Sequence, residues 1–366
     1  MRLAATPGAN FRELCRRYGV SPTTGYKWLE RYRELGRSGL ADRSRRPHRQ
    51  PLRTAPEIEK AVLGVFDAYP GWGNRMIRAR LLALGHGTVP SASTIQGILR
   101  RHGRIAQRLH KHQPPYTRFE RDRPNALWQM DFKGHFATSR GRCHPLTVLD
   151  DHSRYSLGLE ACADERGATV QQRLSSIFGR YGLPEQMLMD NGPPWGVDEG
   201  HAFTPLTVWL IRLGITPCHG RPYHPQTQGK DERFHRTLNV EVIRNRIFSG
   251  LAAVQHDFDR WRHVYNHERP HEALGLRPPI SRYVPSPHPM PEQLPPVEYD
   301  ATDLVRTPQQ TVGRIRFGGR EWKVGKSFVG LPVAVRPTAT DGLFVVFFCH
   351  VKVRDLDLRN PSTEAA

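Results

Sequence analysis

The hydrophobic pattern of this chain changes at Leu127, and that change limits the folds open to it. Before Leu127, apolar side chains recur at helical spacing; after it, short apolar runs alternate with longer amphipathic stretches. The predicted strands and helices include residues 145–149 and 186–189, and residues 170–181 and 203–213. Alternating strands and helices predict an α/β domain with a mixed sheet over residues 120–285.

The residue pattern changes again towards the C-terminus. A helical stretch over residues 226–265 is expected to close the α/β domain, and eight prolines then fall between Pro278 and Pro296. Short apolar runs follow on both sides of the Gly318–Gly319 turn. These features predict a small all-β barrel over residues 296–358, beyond a proline-rich boundary.

Two all-α helix-turn-helix domains are predicted at residues 1–50 and 55–112. In the first, an apolar helical stripe ends at Gly19, and Ser21 then begins a second helix as its N-cap. The second domain has three amphipathic segments, the last of them capped by Ser91. Ordinary αα-hairpins are the structural alternative.

Positive charge is concentrated in this helical part. The chain has a formal net charge of +19, and residues 1–123 hold 25 of its 54 Lys and Arg but only 9 of its 35 Asp and Glu. Such asymmetry is typical of a region that binds nucleic acid.

The residues expected to contact DNA follow from helix-turn-helix geometry. The first turns of the second helix face base edges, while later residues and a basic linker contact phosphates. For any one residue, a solvated surface role is the alternative. The predicted DNA-binding residues of this region are Thr23, Thr24, Lys27, Arg31, Arg43, Arg45, Arg46, Arg49, Arg100 and Arg101.

Several classes of protein are excluded by composition. The five cysteines are scattered without a C-x-x-C pair, which argues against a disulfide framework or a cysteine-rich zinc module. No apolar run approaches the roughly 18–20 residues that span a bilayer, and the N-terminus has no secretory apolar segment. We therefore expect a cytoplasmic, nucleoid-associated protein that does not contact a membrane.

Three acidic residues stand where an α/β domain would place a metal site. Asp131 lies in or beside a strand, Asp190 ends the strand at 186–189, and Glu232 lies on a helix beginning near Pro225. Carboxylate oxygens are hard ligands suited to Mg²⁺ or Mn²⁺. Three of them can hold two ions about 3.5–4 Å apart, as phosphodiester chemistry requires.

Each acid has a plain alternative role when taken alone. Asp190 precedes Asn-Gly, so a role in forming a turn is the alternative for it. For Glu232, the alternative is a surface salt bridge. Asp150, Asp151 and Asp231 compete as ligands, and periodicity does not settle Glu232 over Asp231.

A resemblance adds to this interpretation. Five strings in order resemble the integrase core of bacterial insertion-sequence transposases, which belong to the DDE superfamily and share an RNase H-like fold with retroviral integrases. They are WQMDFKGHF, LTVLDDHSRY, LMDNGPPW, GRPYHPQTQGKDERFHRTL and YNHERPHEALG. By this resemblance Asp131, Asp190 and Glu232 are the three catalytic, metal-ligating acids.

The resemblance also implies the reaction and its partners. The expected chemistry is Mg²⁺-dependent hydrolysis at the ends of a mobile element, followed by attack of the freed 3′-OH on target DNA. Partners would be double-stranded DNA, as terminal repeats and target, and further copies of the chain in a homo-oligomer. Near the acids, His224, Gln228, Lys230 and Arg236 are candidates to contact phosphate.

Three features depart from the family pattern. Asp190 and Glu232 are separated by 41 residues, which is longer than usual, and we expect the excess in a polar loop at 196–204. Few residues precede the first helix, so we expect a supporting helix to be missing from an N-terminally truncated first domain. The His/Cys zinc module of retroviral integrases is absent from the sequence.

Two other functions compete with a DNA transposase. A repressor or a domesticated, inactive transposase would bind DNA without cutting it. A general RNase H-like nuclease would explain the acids but not the two upstream DNA-reading domains. The presence of all three acids favours the enzyme.

Overall fold

The structure is a computed structural model that describes residues 1–42, 54–105, 120–190, 192–196, 203–219, 229–309 and 311–359. The chain divides into two compact units, Met1–Thr54 and Ala55–Ala366. In the described part, no helix is long and apolar enough to cross a membrane.

The first unit contains the predicted helix-turn-helix. Its helices are α1 (Phe11–Arg17) and α2 (Pro22–Leu35). Gly19 takes a positive φ of 63° in the turn, and the Ser21 hydroxyl caps α2 by accepting from the Thr24 backbone N–H at 3.2 Å. The helices approach closely because α2 carries Gly25, where a Cβ would lie 2.5 Å from the Cys15 sulfur.

The second unit begins with three further helices, as the sequence predicts. They are α3 (Pro56–Ala68), α4 (Asn74–Ala83) and α5 (Ala92–Arg101). Their apolar faces form one cluster that includes Val62, Ile77 and Ile95. The Ser91 hydroxyl caps α5 by accepting from the Thr94 N–H at 3.2 Å.

A mixed six-stranded sheet forms the centre of this unit. Its strands are β1 (Trp128–Phe132), β2 (Phe136–Thr138), β3 (Gly141–Asp150), β4 (Ser156–Cys162), β5 (Gln186–Met189) and β6 (Thr216–His219). The long strand β3 pairs antiparallel with β1, β2 and β4. Strand β1 also pairs with β5, and β5 with β6, both in parallel. This arrangement confirms the predicted α/β class with a mixed sheet.

Helices cover both faces of the sheet. Helices α6 (Gly167–Tyr181) and α7 (Pro205–Arg212) pack in one apolar cluster, and α8 (Gly229–Leu238) and α9 (Leu251–His267) in another. The helical stretch expected over 226–265 is therefore not continuous. A π-helical turn at Asn239–Ile243 and a non-helical segment through Gly250 separate α8 from α9.

The proline-rich segment packs on this domain. Tyr283 stacks on Tyr155 with ring centroids 4.1 Å apart, and the Leu183 N–H donates to the His288 carbonyl at 2.7 Å. Prolines here interrupt an α-helix, leaving one short 3-10 turn at Pro279–Ser281, but allow an extended chain to pack against the core.

The C-terminal segment is all-β. Strands β7 (Leu304–Arg306), β10 (Val333–Pro337), β11 (Leu343–Phe348) and β12 (Val351–Asp357) form one antiparallel sheet, and β8 (Arg314–Phe317) and β9 (Arg320–Lys323) form a hairpin. Both pack in one apolar cluster with Val208 and Ile211 of α7. The all-β class is confirmed, whereas closure of these strands into a barrel is not.

Candidate active site

Asp131 and Asp190 lie next to each other at the carboxyl ends of β1 and β5, two interior strands of the central sheet. Parallel pairing sets Trp128 opposite Met187 and Gln129 opposite Leu188. The same register, continued by two residues, sets Asp131 opposite Asp190, just beyond the end of β5. Residues in register on neighbouring strands share a face and are about 4.8 Å apart in the pairing direction. The sheet thus brings together two of the three predicted acids.

The environment of Asp131 disfavours its charged form. Its pKa is raised from 3.8 to about 6, first by burial and then by the negative charges of Asp190 and Glu165. A cation at this position would offset both effects, because opposite charge favours the ionised carboxylate.

His235 of α8 packs beside Asp131 and helps to fix the end of β1. Its Nε2 lies 2.9 Å from the Thr147 hydroxyl, which itself donates to the Asp131 carbonyl at 2.9 Å. Burial lowers the pKa of His235 to about 4, so the imidazole is neutral at pH 7. Because the Thr147 hydroxyl donates its proton to the Asp131 carbonyl, the hydrogen-bond network assigns the imidazole proton to Nε2. Its Nδ1 is 4.0 Å from the Asp131 carboxylate, which is too far for a hydrogen bond.

Sequence reasoning missed His235, Thr147 and Glu165. A usable signal existed for His235, because it follows Asp231 by four residues and so lies on the same helix face. Thr147 and Glu165 carried no such signal, since their positions beside Asp131 depend on strand pairing and on the loop after β4.

The two acids of α8 face different surroundings. Glu232 is exposed at the start of the helix, and Arg236 is exposed one turn later. Asp231 is only 2% exposed. Burial raises its pKa well above the usual range, and the charges of Asp131 and Asp151 raise it further. Asp231 is therefore a buried carboxyl whose charged form is disfavoured, and Glu232 is the acid of this pair that solvent and a ligand can reach.

Asp150 and Asp151, the other candidate metal ligands, form hydrogen bonds that stabilise the fold. Asp150 accepts from the backbone N–H groups of Asn125 and Ser153 at 2.8 and 2.7 Å. Asp151 is fully buried and accepts from the Gln129 amide at 2.6 Å. These bonds use the carboxylate oxygens within the protein.

Lys230 belongs to the same network. Its ammonium forms an ion pair with Asp151 and is 17% exposed. Burial lowers its pKa to about 8. In this arrangement Lys230 anchors the start of α8 to the sheet, and its expected contact with phosphate stays a prediction.

A cavity of about 220 Å³ lies behind the start of α8. Gln129, Asp151 and Lys230 line it, together with His271 from the segment after α9 and Met76 from α4. Over the ranges that the structure describes, no cluster of three or more His, Cys, Asp or Glu is arranged to hold a metal ion.

The predicted DNA-binding residues of the first unit lie on α2. Thr23, Thr24 and Lys27 are exposed, although the Thr24 hydroxyl accepts a bond from Ser21 at 2.8 Å. Arg31 is half-buried and lies over the Trp28 ring, 4.9 Å from its centroid. Other predicted contacts lie outside the described residues: Arg43, Arg45, Arg46, Arg49, His224 and Gln228.

The two arginines that end α5 differ in their surroundings. Arg100 is exposed. Arg101 donates to the carboxylate of Glu59 at 2.6 Å, and Glu59 is only 6% exposed. Arg101 thus balances a buried charge inside its own domain, and sequence spacing could not show this contact between α3 and α5.

Models of known families match most of the chain, though not residues 100–120 or 280–302. Models described as integrase core domain match residues 121–225 and 213–279. A model of the IS481 family transposase C-terminal domain matches residues 303–364. Homeodomain-like domain models match residues 1–41 and 24–99.

Similar proteins come from bacterial insertion elements. The chain is 30% identical to an uncharacterized 39.2 kDa protein of insertion element IS476 from Xanthomonas euvesicatoria, over 43% of each chain. It is 25% identical to an uncharacterized 31.7 kDa protein of insertion element IS407 from Burkholderia multivorans, over 61% of this chain and 85% of that protein. The chain thus spans less than half of the first relative and most of the second.

Among solved structures, a simian T-cell lymphotropic virus intasome in complex with a PP2A regulatory subunit is similar. Its matched chain is 16% identical, with 81% of this chain and 98% of that chain covered and a TM-score of 0.38.

Proposed function

We propose that this chain, which carries the integrase core and the C-terminal domain of IS481 family transposases behind homeodomain-like domains, is an insertion-sequence DNA transposase. It would bind the ends of its element, hydrolyse a phosphodiester bond there and join the freed 3′-OH to target DNA. The observation that carries the proposal is the closeness of Asp131 on β1 and Asp190 directly after β5, because these two strands pair in parallel and the charge of Asp190 acts on Asp131. Glu232 on α8 is the third acid.

Asp131, Asp190 and Glu232 would hold Mg²⁺ or Mn²⁺, as two ions. The chemistry of the site fits a divalent cation, because Asp131 is largely buried beside the negative charge of Asp190 and both offer hard oxygen ligands. When bound, such ions lower the pKa of an attacking water and stabilise the leaving oxygen.

The chain's own residues would supply position rather than covalent chemistry. The neutral His235 and Thr147 hold the Asp131 end of β1 in place. The Lys230–Asp151 ion pair fixes the start of α8 and with it the position of Glu232. Catalysis of this kind depends on holding the nucleophile, the phosphorus and the leaving oxygen in line.

DNA recognition would lie in the helix-turn-helix domains. The exposed Thr23, Thr24 and Lys27 open α2, where such domains read base edges. Arg31, Arg100 and Arg236 would contact phosphates, as would the arginines of the linker after α2. A pair of element ends must be held together for transposition, so we propose a homo-oligomer that acts at the nucleoid in the cytoplasm.

The test is a cleavage assay with the full chain, Mg²⁺ or Mn²⁺, and labelled duplexes that carry the ends of its own element. Wild type should nick at an end, while Asp131→Asn, Asp190→Asn and Glu232→Gln should bind the duplex equally well and not cut it. A matched control is Asp122→Asn, because Asp122 is 82% exposed outside the site. Sequence-specific binding without cleavage by wild type would instead show a non-catalytic DNA-binding protein.

A further inference from the structure

The second helix-turn-helix domain (α3–α5) is fastened to the core at the C-terminal end of α9. Val264 of α9 packs against the apolar cluster of that domain. Glu268 follows the last turn of α9, and one of its oxygens accepts from the Arg80 guanidinium and, at 3.3 Å, from the Tyr69 hydroxyl. Arg80 and Glu268 are 22% and 27% exposed. Water therefore screens this pair less than it screens a surface ion pair.

A second contact lies nearby. Gly71, in the loop between α3 and α4, lies so close to Glu241 that a Cβ would be 2.6 Å from that residue's Cγ. Glu241 is itself fixed, because it accepts from the Trp261 indole N–H at 2.7 Å and from Arg269 at 3.3 Å. The loop and Glu241 thus meet without room for a larger residue.

A continuous set of contacts links Glu268 to the acids. Asn266 lies two residues before Glu268, and its side-chain amide bonds to the backbone of Ser156. The amide oxygen accepts from the Ser156 N–H at 2.8 Å, and the amide nitrogen donates to the Ser156 carbonyl at 2.9 Å. Ser156 lies on β4, which pairs with β3, and β3 pairs with β1 through Thr147 and Asp131. These contacts fix the position of Glu268 relative to Asp131. If the second helix-turn-helix domain moves at Glu268, it therefore also moves relative to Asp131.

We propose that Glu268 is a positioning residue that holds the second helix-turn-helix domain at one place on the core, so that DNA bound by that domain is cut at one phosphodiester bond. This inference rests on the proposed function. Glu268 need not touch DNA; its carboxylate acts through Arg80 and Tyr69. Its role is to convert binding by α5 into a defined distance from the acids.

The experiment compares full-length wild type, Glu268→Ala and the exchanged pair Glu268→Arg with Arg80→Glu on labelled end duplexes with Mn²⁺. In Glu268→Ala we expect a cleavage rate about tenfold to a hundredfold lower at saturating DNA, with cuts spread over several positions. The DNA concentration for half-maximal rate should stay unchanged. The exchanged pair should recover the single cut site, which a general loss of folding would not allow.

Two further variants and a second measurement complete the design. Gly71→Ala disturbs the same contact surface without changing Glu268 and should also spread the cuts. Glu272→Ala removes an exposed acid 3.7 Å from Arg75 and should cut as wild type does. Hydrogen exchange at Asn74–Ala83 should be faster in Glu268→Ala and normal in Glu272→Ala.

The outcomes separate the two claims. If Glu268→Ala cuts at the wild-type position and rate, the positioning role is wrong. If wild type does not cut, the proposed function fails, and hydrogen exchange alone decides whether Glu268 holds the domain. Unchanged exchange in Glu268→Ala would overturn the inference in either case.

Discussion

Asp131→Asn should stabilise the metal-free protein while it abolishes cleavage. The pKa of Asp131 is raised from 3.8 to about 6, chiefly by burial. A carboxyl group with a raised folded-state pKa contributes stability at low pH, and that contribution is lost as the pH rises through the folded pKa. Above pH 6 the ionised Asp131 therefore lowers the free energy of unfolding, whereas asparagine cannot ionise.

The size of the effect follows from the shift. One pKa unit corresponds to 1.36 kcal/mol. The advantage of Asp131→Asn in the free energy of unfolding should therefore grow from about 1.5 kcal/mol at pH 5 to about 3 kcal/mol at pH 8. These free-energy differences are upper limits, because the Asp131 side chain is 28% exposed and solvent screens part of the electrostatic effect.

The assay is urea unfolding with EDTA, followed by tryptophan fluorescence, because Trp128, Trp195 and Trp209 all lie in the core cluster. Asp122→Asn should keep the wild-type pH profile. Added Mg²⁺ should then stabilise wild type but not Asp131→Asn, since only the former binds the ion. An advantage that does not change with pH, or a less stable Asp131→Asn at pH 8, would refute the reasoning.

Four further predictions concern the DNA-reading domains. Arg101→Ala should destabilise the second domain by about 2–3 kcal/mol, because it leaves the buried Glu59 with one charge-assisted bond fewer; thermal unfolding measures this. Arg100→Ala should leave stability unchanged and weaken binding of end and scrambled duplexes alike, as fluorescence anisotropy would show. Lys27→Ala should reduce discrimination between those duplexes by about 1–3 kcal/mol in competition binding, and equal loss for both would contradict base contact. For wild type, log K should fall by about 0.9 per phosphate contact per log unit of salt.

The elements that the sequence predicts well are those set by neighbouring residues. Ser21 and Ser91 cap their helices because a hydroxyl reaches an N–H three residues on. The sequence predicts the β5 strand at 186–189 with its observed bounds, and the end of that strand places Asp190. The register that brings Asp190 beside Asp131 also needs the pairing of β1 with β5, which no local pattern encodes.

The contacts that the sequence did not predict join distant parts of the chain. Lys230 pairs with Asp151, and Arg101 with Glu59, across 79 and 42 residues. On the sequence alone both cations look like exposed phosphate ligands. Whether a lysine or arginine faces solvent or a buried acid depends on tertiary packing, and spacing within one helix does not carry that information. The same holds for the burial that raises the pKa of Asp231.

The proposed function requires that this chain joins DNA strands at a site formed by Asp131, Asp190 and Glu232. A joining assay measures this activity. Purified full-length protein and Mn²⁺ are incubated with a supercoiled plasmid and a labelled end duplex that has a free 3′-OH, and transfer of the label to the plasmid is measured. We expect labelled plasmid with wild type and none with Asp190→Asn or with a 3′-deoxy end. Joining by Asp190→Asn at the wild-type rate, or joining of the 3′-deoxy end, would contradict it.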